Sequence, residues 1–132
     1  MIQTLTIQTH SRTEMINMDT TVMKAVRQAG VKEGLCVLWV PHTTAALTIN
    51  ENADPDVVRD ILSKTGKVIP FENGYRHAEG NSAAHIKSSL FSPSLTAVIT
   101  GGRLLLGTWQ SVFFCEFDGP RTRKMMVKVV EG

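Results

Sequence analysis

Residues 75–90, YRHAEGNSAAHIKSSL, hold two of the chain's four histidines, His77 and His85, with Glu79 between them and Lys87, Ser88 and Ser89 close behind. Two imidazoles and a carboxylate around a turn are the groups of a metal centre or of acid/base catalysis. A third imidazole, His42, follows an apolar run and Pro41, where a strand leaving a sheet offers polar groups to a ligand. Placed at a strand end, a loop and a helix start, His42, His77 and His85 fit a three-histidine site that leaves zinc an open fourth position. Glu79 would ligate, orient a histidine or act as base. The spacing matches no general metal motif, neither HExxH nor CxxC. The competing reading has His77 and His85 hydrogen-bonded to each other or to nearby backbone. His10, at a predicted surface turn, is assigned no chemistry.

Other polar groups fall into three sets. Asn50, Glu51, Asn52 and Asp54 form an acid-amide corner. Capping of a helix that opens at Pro55 accounts for Asp54, while Asn50 and Glu51 are candidates for a divalent ion or for orienting a substrate amine. Residues 82–87 set a helix N-terminus and Lys87 beside the histidines, an arrangement that favours phosphate, and Ser88 and Ser89 add hydroxyls. Arg121 and Arg123 suit phosphate or carboxylate, or else they protect an edge strand, as Lys124 and Lys128 are expected to do. Trp109 is a core residue or the wall of a flat pocket in which Gln110 reads a heterocycle edge, and Gly107 before it suggests a bulge.

The elements that must position these groups follow from periodicity. Alternation over residues 2–9 predicts a strand, with 14–18 as its antiparallel partner after a turn at Ser11 and Arg12. Asp19 or Thr20 caps a helix whose apolar residues are Val22, Met23, Val26 and Ala29, stopped by Gly30. Residues 35–40 are continuously apolar, as in a strand buried on both faces. Residues 46–50 alternate, and a second helix buries Val57, Val58, Ile61 and Leu62 and ends at Gly66. Residues 68–80 are irregular, and Ser82 is placed to cap a third helix through Ala83, Ala84, His85, Ile86 and Ser89, closed by Pro93. Strands over 95–100, 103–106, 109–118 and 122–130 complete the chain, the first two joined through Gly101-Gly102. This order is α+β: mostly antiparallel sheets, sandwich-like, with two or three short helices in a single domain over 1–132.

Composition narrows the classes. At 42% apolar and 20% charged the chain is globular and not disordered. A formal charge of +2 is small for a nucleic-acid binder, leaving room only for a local basic patch at Arg121, Arg123, Lys124 and Lys128. Cys36 and Cys115 lie in apolar runs and read as core residues. With no span-length apolar stretch and no leader-like N-terminus, no membrane partner is expected and a cytoplasmic location is the default.

Several segments carry a resemblance. HTTAALTINENADPDVVRD, then H-x-E-G-N ending in AHIKSSL, then LLLGTWQ and E-x-D-G-P-R-x-R resemble the YjbQ family, whose members are described as secondary thiamine-phosphate synthases. The likeness runs from about His42 to the C-terminus. It implies a sandwich-like subunit in a homotrimer, with a polar pocket of His42, Asn50, Glu51, Asp54, His77, Glu79, His85, Gln110 and Arg121. Some members look like metal proteins, which places histidine ligands here on His42, His77 and His85. Many relatives carry aspartates where this chain has Asn81 and Ser82, so Glu79 is the main carboxylate of the loop.

The implied reaction joins an aminopyrimidine methyl pyrophosphate to a thiazole phosphate with loss of pyrophosphate. Lys87, Arg121 and a divalent ion (zinc or magnesium) would hold the leaving group. Trp109, Gln110 and Glu51 would hold the pyrimidine. The alternatives are a His-ligated hydrolase or lyase of a small phosphorylated or amide substrate, with Glu79 as base, and a non-catalytic trimeric protein that binds a small ligand.

Overall fold

The computed structural model describes residues 1–132. Eight strands and three helices follow in the order β1 (Ile2–Gln8), β2 (Glu14–Asn17), α1 (Asp19–Ala29), β3 (Gly34–Trp39), β4 (Ala45–Glu51), α2 (Pro55–Val68), α3 (Ser82–Leu90), β5 (Ser94–Thr100), β6 (Arg103–Leu104), β7 (Gln110–Glu116) and β8 (Thr122–Glu131). The strands form a five-stranded sheet, β1-β8-β3-β5-β6, and a three-stranded sheet, β2-β7-β4, with every pairing antiparallel. The α+β, antiparallel architecture expected from the pattern is therefore the one observed. No helix is long and apolar enough to cross a membrane.

The main core lies between the sheets. Ile7, Leu38, Ile99, Met125 and Val127 meet Leu47, Val112 and Phe114 there, together with Val22, Ala25 and Val26 of α1. A smaller cluster, Ala46, Ala84, Phe113, Cys115 and Phe117, covers the other face of the three-stranded sheet beneath α3, with Val58 of α2 at its rim. Both cysteines are buried in these clusters, and burial pushes the Cys36 thiol up to about 11 and that of Cys115 to about 12.

Several sequence expectations are corrected. β2 does not pair with β1. It joins β7 in the second sheet, while β1 pairs with the C-terminal β8, because the buried alternation of β1 finds its match in Met125 and Val127. The doubly buried strand is β7, not β3. Ser111 through Phe117 are all buried, whereas β3 alternates and leaves Leu35 and Trp39 on an open face. α1 begins at Asp19 with Met18 in the capping position and no side-chain cap, and α3 begins after Asn81 in the same way. α2 passes through Gly66 to Val68, and none of its residues is fully buried; Val57, Val58, Ile61 and Leu62 are half-buried. β6 is only two residues long, so Gly107 lies in a loop and not in a bulge. β8 lies between β1 and β3 and is not an edge. The Asp54-Pro55 opening is as read, with the Asp56 N–H donating to Asp54 Oδ1 at 2.9 Å, and the Gly101-Gly102 turn pairs Thr100 with Arg103.

Candidate active site

The pairing of β3 with β8 ends at Trp39 and Met126. Pro41 has no N–H to extend it. The next residue, His42, supplies the missing acceptor from its side chain: the Lys124 N–H donates to His42 Nε2 at 2.9 Å. Burial, then the Arg123 charge, with a further contribution from Arg121, holds the His42 imidazole below its ordinary range.

Beneath His42 lies a polar cluster that sequence reading missed. Glu116 ends β7 facing inward and Arg123 enters from β8, with 0% and 2% of their surfaces exposed. The Arg123 guanidinium forks onto the Glu116 carboxylate through Nε, at 2.9 and 3.1 Å, and through Nη2. It also donates to the Thr44 hydroxyl and carbonyl at 2.9 and 3.2 Å. The Thr9 hydroxyl and the Asp118 N–H donate to Glu116 at 2.7 and 3.1 Å. Burial pushes the carboxyl upward, but the Arg123, Thr9 and Asp118 hydrogen bonds outweigh it and hold Glu116 below the usual carboxylate range. Arg123 is thus structural, and the basic patch expected at residues 121–128 loses its central member. Arg121 is exposed and donates to the Asp118 carbonyl and carboxylate at 2.9 and 3.1 Å.

Three cavities run along this side of the molecule. The largest, about 550 Å³, is lined by Trp39, His42, Thr44, Pro93, Arg121 and Arg123 among others. The second, about 300 Å³, shares His42, Thr43 and Pro93 with it and adds Ala45, His85, Ser88 and Ser89. The third, about 330 Å³, shares His85 and is lined also by Tyr75, Arg76, His77, Ser82 and Ile86. The trough therefore passes from Arg121 through His42 and His85 to His77. The last two rings meet edge to face, their centroids 5.4 Å apart, and Glu79 Oε2 lies 3.9 Å from His77 Nε2.

The three histidines expected to ligate a metal line one trough, but they do not form a ligand set within one chain. No three His, Cys, Asp or Glu side chains are close enough together to hold an ion, and the His42 Nε2 lone pair is already taken. A metal does not fit this set in a single chain. Lys87 also departs from its expected place: it is 2% exposed, lines none of the cavities, and sets its Nζ 5.3 and 5.8 Å from the rings of Phe71 and Phe117 without an acidic partner. Burial lowers its pKa. Two residues on from His85, it points about 200° around the helix.

The acid-amide corner and the flat-pocket candidates form a second group. Glu51 pairs with Gln110 across β4 and β7, Trp109 accepts from the Asn52 N–H at 3.1 Å, and Trp109 and Gln110 are exposed. Asn50 Oδ1 accepts from the Glu51 N–H, and Gln110 Oε1 from the Gly107 N–H. This corner sits at the far end of β4 from the histidines, about 20 Å along the strand.

A small antiparallel α+β protein with a histidine-lined trough at one end of its sheets is the class that these features define. The chain belongs to the family described as UPF0047 protein YjbQ-like, whose model matches residues 3–132. It is 48% identical to the UPF0047 protein YugU of Bacillus subtilis over 131 residues, covering 98% of this chain and 99% of that one. A UPF0047 protein of Methanocaldococcus jannaschii is 49% identical over 124 residues, 94% of this chain and 90% of the relative. Among solved structures, an uncharacterized conserved protein of this family from Clostridium acetobutylicum superposes with a TM-score of 0.95 at 50% identity, covering 97% of this chain and 99% of that one. A YbjQ-like protein of unknown function from Sulfolobus solfataricus also reaches 0.95, at 27% identity over 100% of this chain and 97% of that one.

Proposed function

We propose that the chain is a small-molecule transferase of the secondary thiamine-phosphate synthase type, working as a homotrimer on phosphorylated substrates. The thiazole nitrogen attacks the pyrimidine methylene carbon; a C–N bond forms, the C–O bond to pyrophosphate breaks, and pyrophosphate leaves with the electron pair. The observation that carries this reading is the trough from Arg121 through His42 to His85 and Ser88, long enough for a phosphorylated ligand and lined by hydrogen-bond donors. Donors aimed at a leaving pyrophosphate stabilise the charge that grows on it. A divalent ion would be carried on the substrate's phosphate oxygens, as magnesium commonly is.

What one chain lacks supports an assembly. Trp109, Gln110 and Glu51, suited to a pyrimidine, are at the opposite end of β4 from the histidines, so a site containing both needs a second copy. Exposed apolar residues supply a surface for it: Leu35 stands between Val98 and Val130 in register, and Trp39 beside Met126, on the open face of the five-stranded sheet. An exposed apolar patch of that kind favours an interface with another copy.

The test is direct. Purified protein with the two precursors and magnesium is expected to release thiamine phosphate and pyrophosphate, and His85→Ala is expected to lower the rate at least about a hundredfold, the lower end for a general acid–base group. No product above the protein-free control would refute the reading.

A further inference from the structure

Asp118, in the turn between β7 and β8, lines none of the cavities, yet it bonds to three parts of the trough's surroundings. Its Oδ2 accepts from Arg121 Nη2 at 3.1 Å and from Asn81 Nδ2 at 2.9 Å. Its carbonyl accepts from Arg121 Nε at 2.9 Å, and its N–H donates to Glu116 at 3.1 Å. Asn81 forgoes a local bond to make this one. Asparagine is a favoured N-cap, but its side chain makes no capping bond to α3 and donates to Asp118 instead. The Asn81 carbonyl accepts from the His85 N–H at 3.3 Å, so the helical turn that carries His85 is linked to Asp118 through one residue.

The contacts to Arg121 are directional. Nε and Nη2 share the side edge of a guanidinium, and Asp118 takes one N–H from each. The end edge, Nη1 with the other Nη2 N–H, has no partner within the chain, and such a fork grips a pair of phosphate oxygens. Arg121 lines the largest cavity beside His42, and its charge is one of the causes that hold the His42 imidazole below its ordinary range. Half of the Arg121 side chain is exposed. Holding so exposed a side chain in one geometry works against its rotamer entropy, and Asp118 supplies every acceptor that does so.

We propose that Asp118 is a positioning residue for anion recognition: it holds the side edge of Arg121, leaves the end edge to the phosphoryl oxygens of a ligand in the cavity shared with His42, and ties that arginine to the start of α3 through Asn81. The inference rests on the phosphorylated-substrate reading above and names the group that orients its cation. Charge alone predicts the opposite effect. A carboxylate beside the guanidinium repels an incoming anion, so an Asp118 that only neutralised Arg121 would weaken anion binding, and its removal would tighten it. Positioning predicts a loss on removal, so one measurement separates the two by sign.

The full chain and its variants are titrated with inorganic pyrophosphate by calorimetry. Asp118→Ala should weaken binding about two- to tenfold, the range for re-ordering one long side chain. Asp118→Asn, whose amide oxygen can replace Oδ2 for both donors, should bind more tightly than Asp118→Ala. Arg121→Gln should also weaken binding, and adding Asp118→Ala to it should cause no further loss, because Asp118 acts through Arg121. The turn keeps backbone anchors of its own, the Arg121 N–H to Thr9 Oγ1 at 2.9 Å and the Gly119 N–H to the Arg12 carbonyl at 3.0 Å, so Asp118→Ala is expected to fold. A readout without ligand is the 1H–15N NOE of the Arg121 Nε–H, which should report a rigid side chain in the native chain and a mobile one in Asp118→Ala. Unchanged or tighter pyrophosphate binding in Asp118→Ala, the same loss in the Arg121→Gln background, equal Arg121 rigidity in both chains, or no pyrophosphate binding by the native chain would overturn the proposal. The expected binding pattern without formation of thiamine phosphate would remove the reaction and leave Asp118 in this role. Turnover indifferent to Asp118→Ala would do the reverse.

Discussion

Glu116 and Arg123 show how much depends on single residues at the end of the core. Both are almost wholly buried, so each is affordable only because the other is present. Removing the guanidinium by Arg123→Ala leaves a carboxylate buried between Thr9 and the Asp118 N–H, and the expected cost is about 3–5 kcal/mol in urea unfolding. The pH dependence has a definite sign. Because the folded pKa of Glu116 is depressed, its contribution is fully present above the unfolded carboxylate range and is lost as pH falls through and below that range. Urea midpoints of the native chain should therefore fall on acidification, with a shallower slope in Glu116→Gln; equal slopes would show that the pair does not contribute. The pair was legible in part. Arg123 is in phase with Met125 and Val127, and Glu116 with Val112 and Phe114, so both side chains lie on core-facing positions of their strands. Alternation says that a charge points inward, but it does not name its partner, because the two strands belong to different sheets and meet only across the core.

At the level of elements, local signals were dependable and pairings were not. The Asp54-Pro55 cap, the Gly30 stop and the Gly101-Gly102 hairpin were readable because each is decided within a few residues. A short connection favours pairing β2 with the nearer strand, yet β2 crosses to the other sheet. The apolar Leu35 and Trp39 point to a doubly buried strand at residues 35–40, yet both are exposed, because what covers a sheet is not encoded in the strand's own sequence. Gly34 illustrates an element-level constraint of a different kind. A Cβ there would lie 2.0 Å from the Val130 carbonyl oxygen, so β3 and β8 approach more closely than any side chain allows. Gly34→Ala is expected to cost about 1–3 kcal/mol, the usual range for overpacking, read as a drop in Tm. Substitution at Gly66, with nothing within 4 Å of the same position, should not lower it through packing.

At the scale of the whole molecule the question is what covers the five-stranded sheet. Trp39 is 49% exposed, lies on the open apolar face, and also lines the largest cavity, so a copy seated on that face would close the trough at its Arg121 end. Light scattering on the native chain is expected to give a trimer. Trp39→Lys is expected to shift it to monomer and to reduce synthase activity while leaving secondary structure intact. A variant that stays trimeric would place the interface elsewhere, for instance along the half-buried face of α2.

Taken by itself, the sequence determined the α+β class, most of the elements and the candidacy of His42, His77 and His85, because periodicity, caps, turns and the strand-end and loop histidines are local properties of the chain. Tertiary structure alone decided which strands pair, that Lys87 turns into the interior, that Arg123 belongs to Glu116, and that the His42 Nε2 lone pair is taken. The physical reason is the same in each case. A side chain's burial and hydrogen-bond state depend on groups far away in the chain, and for His42 the deciding group is the amide of Lys124, 82 residues further on.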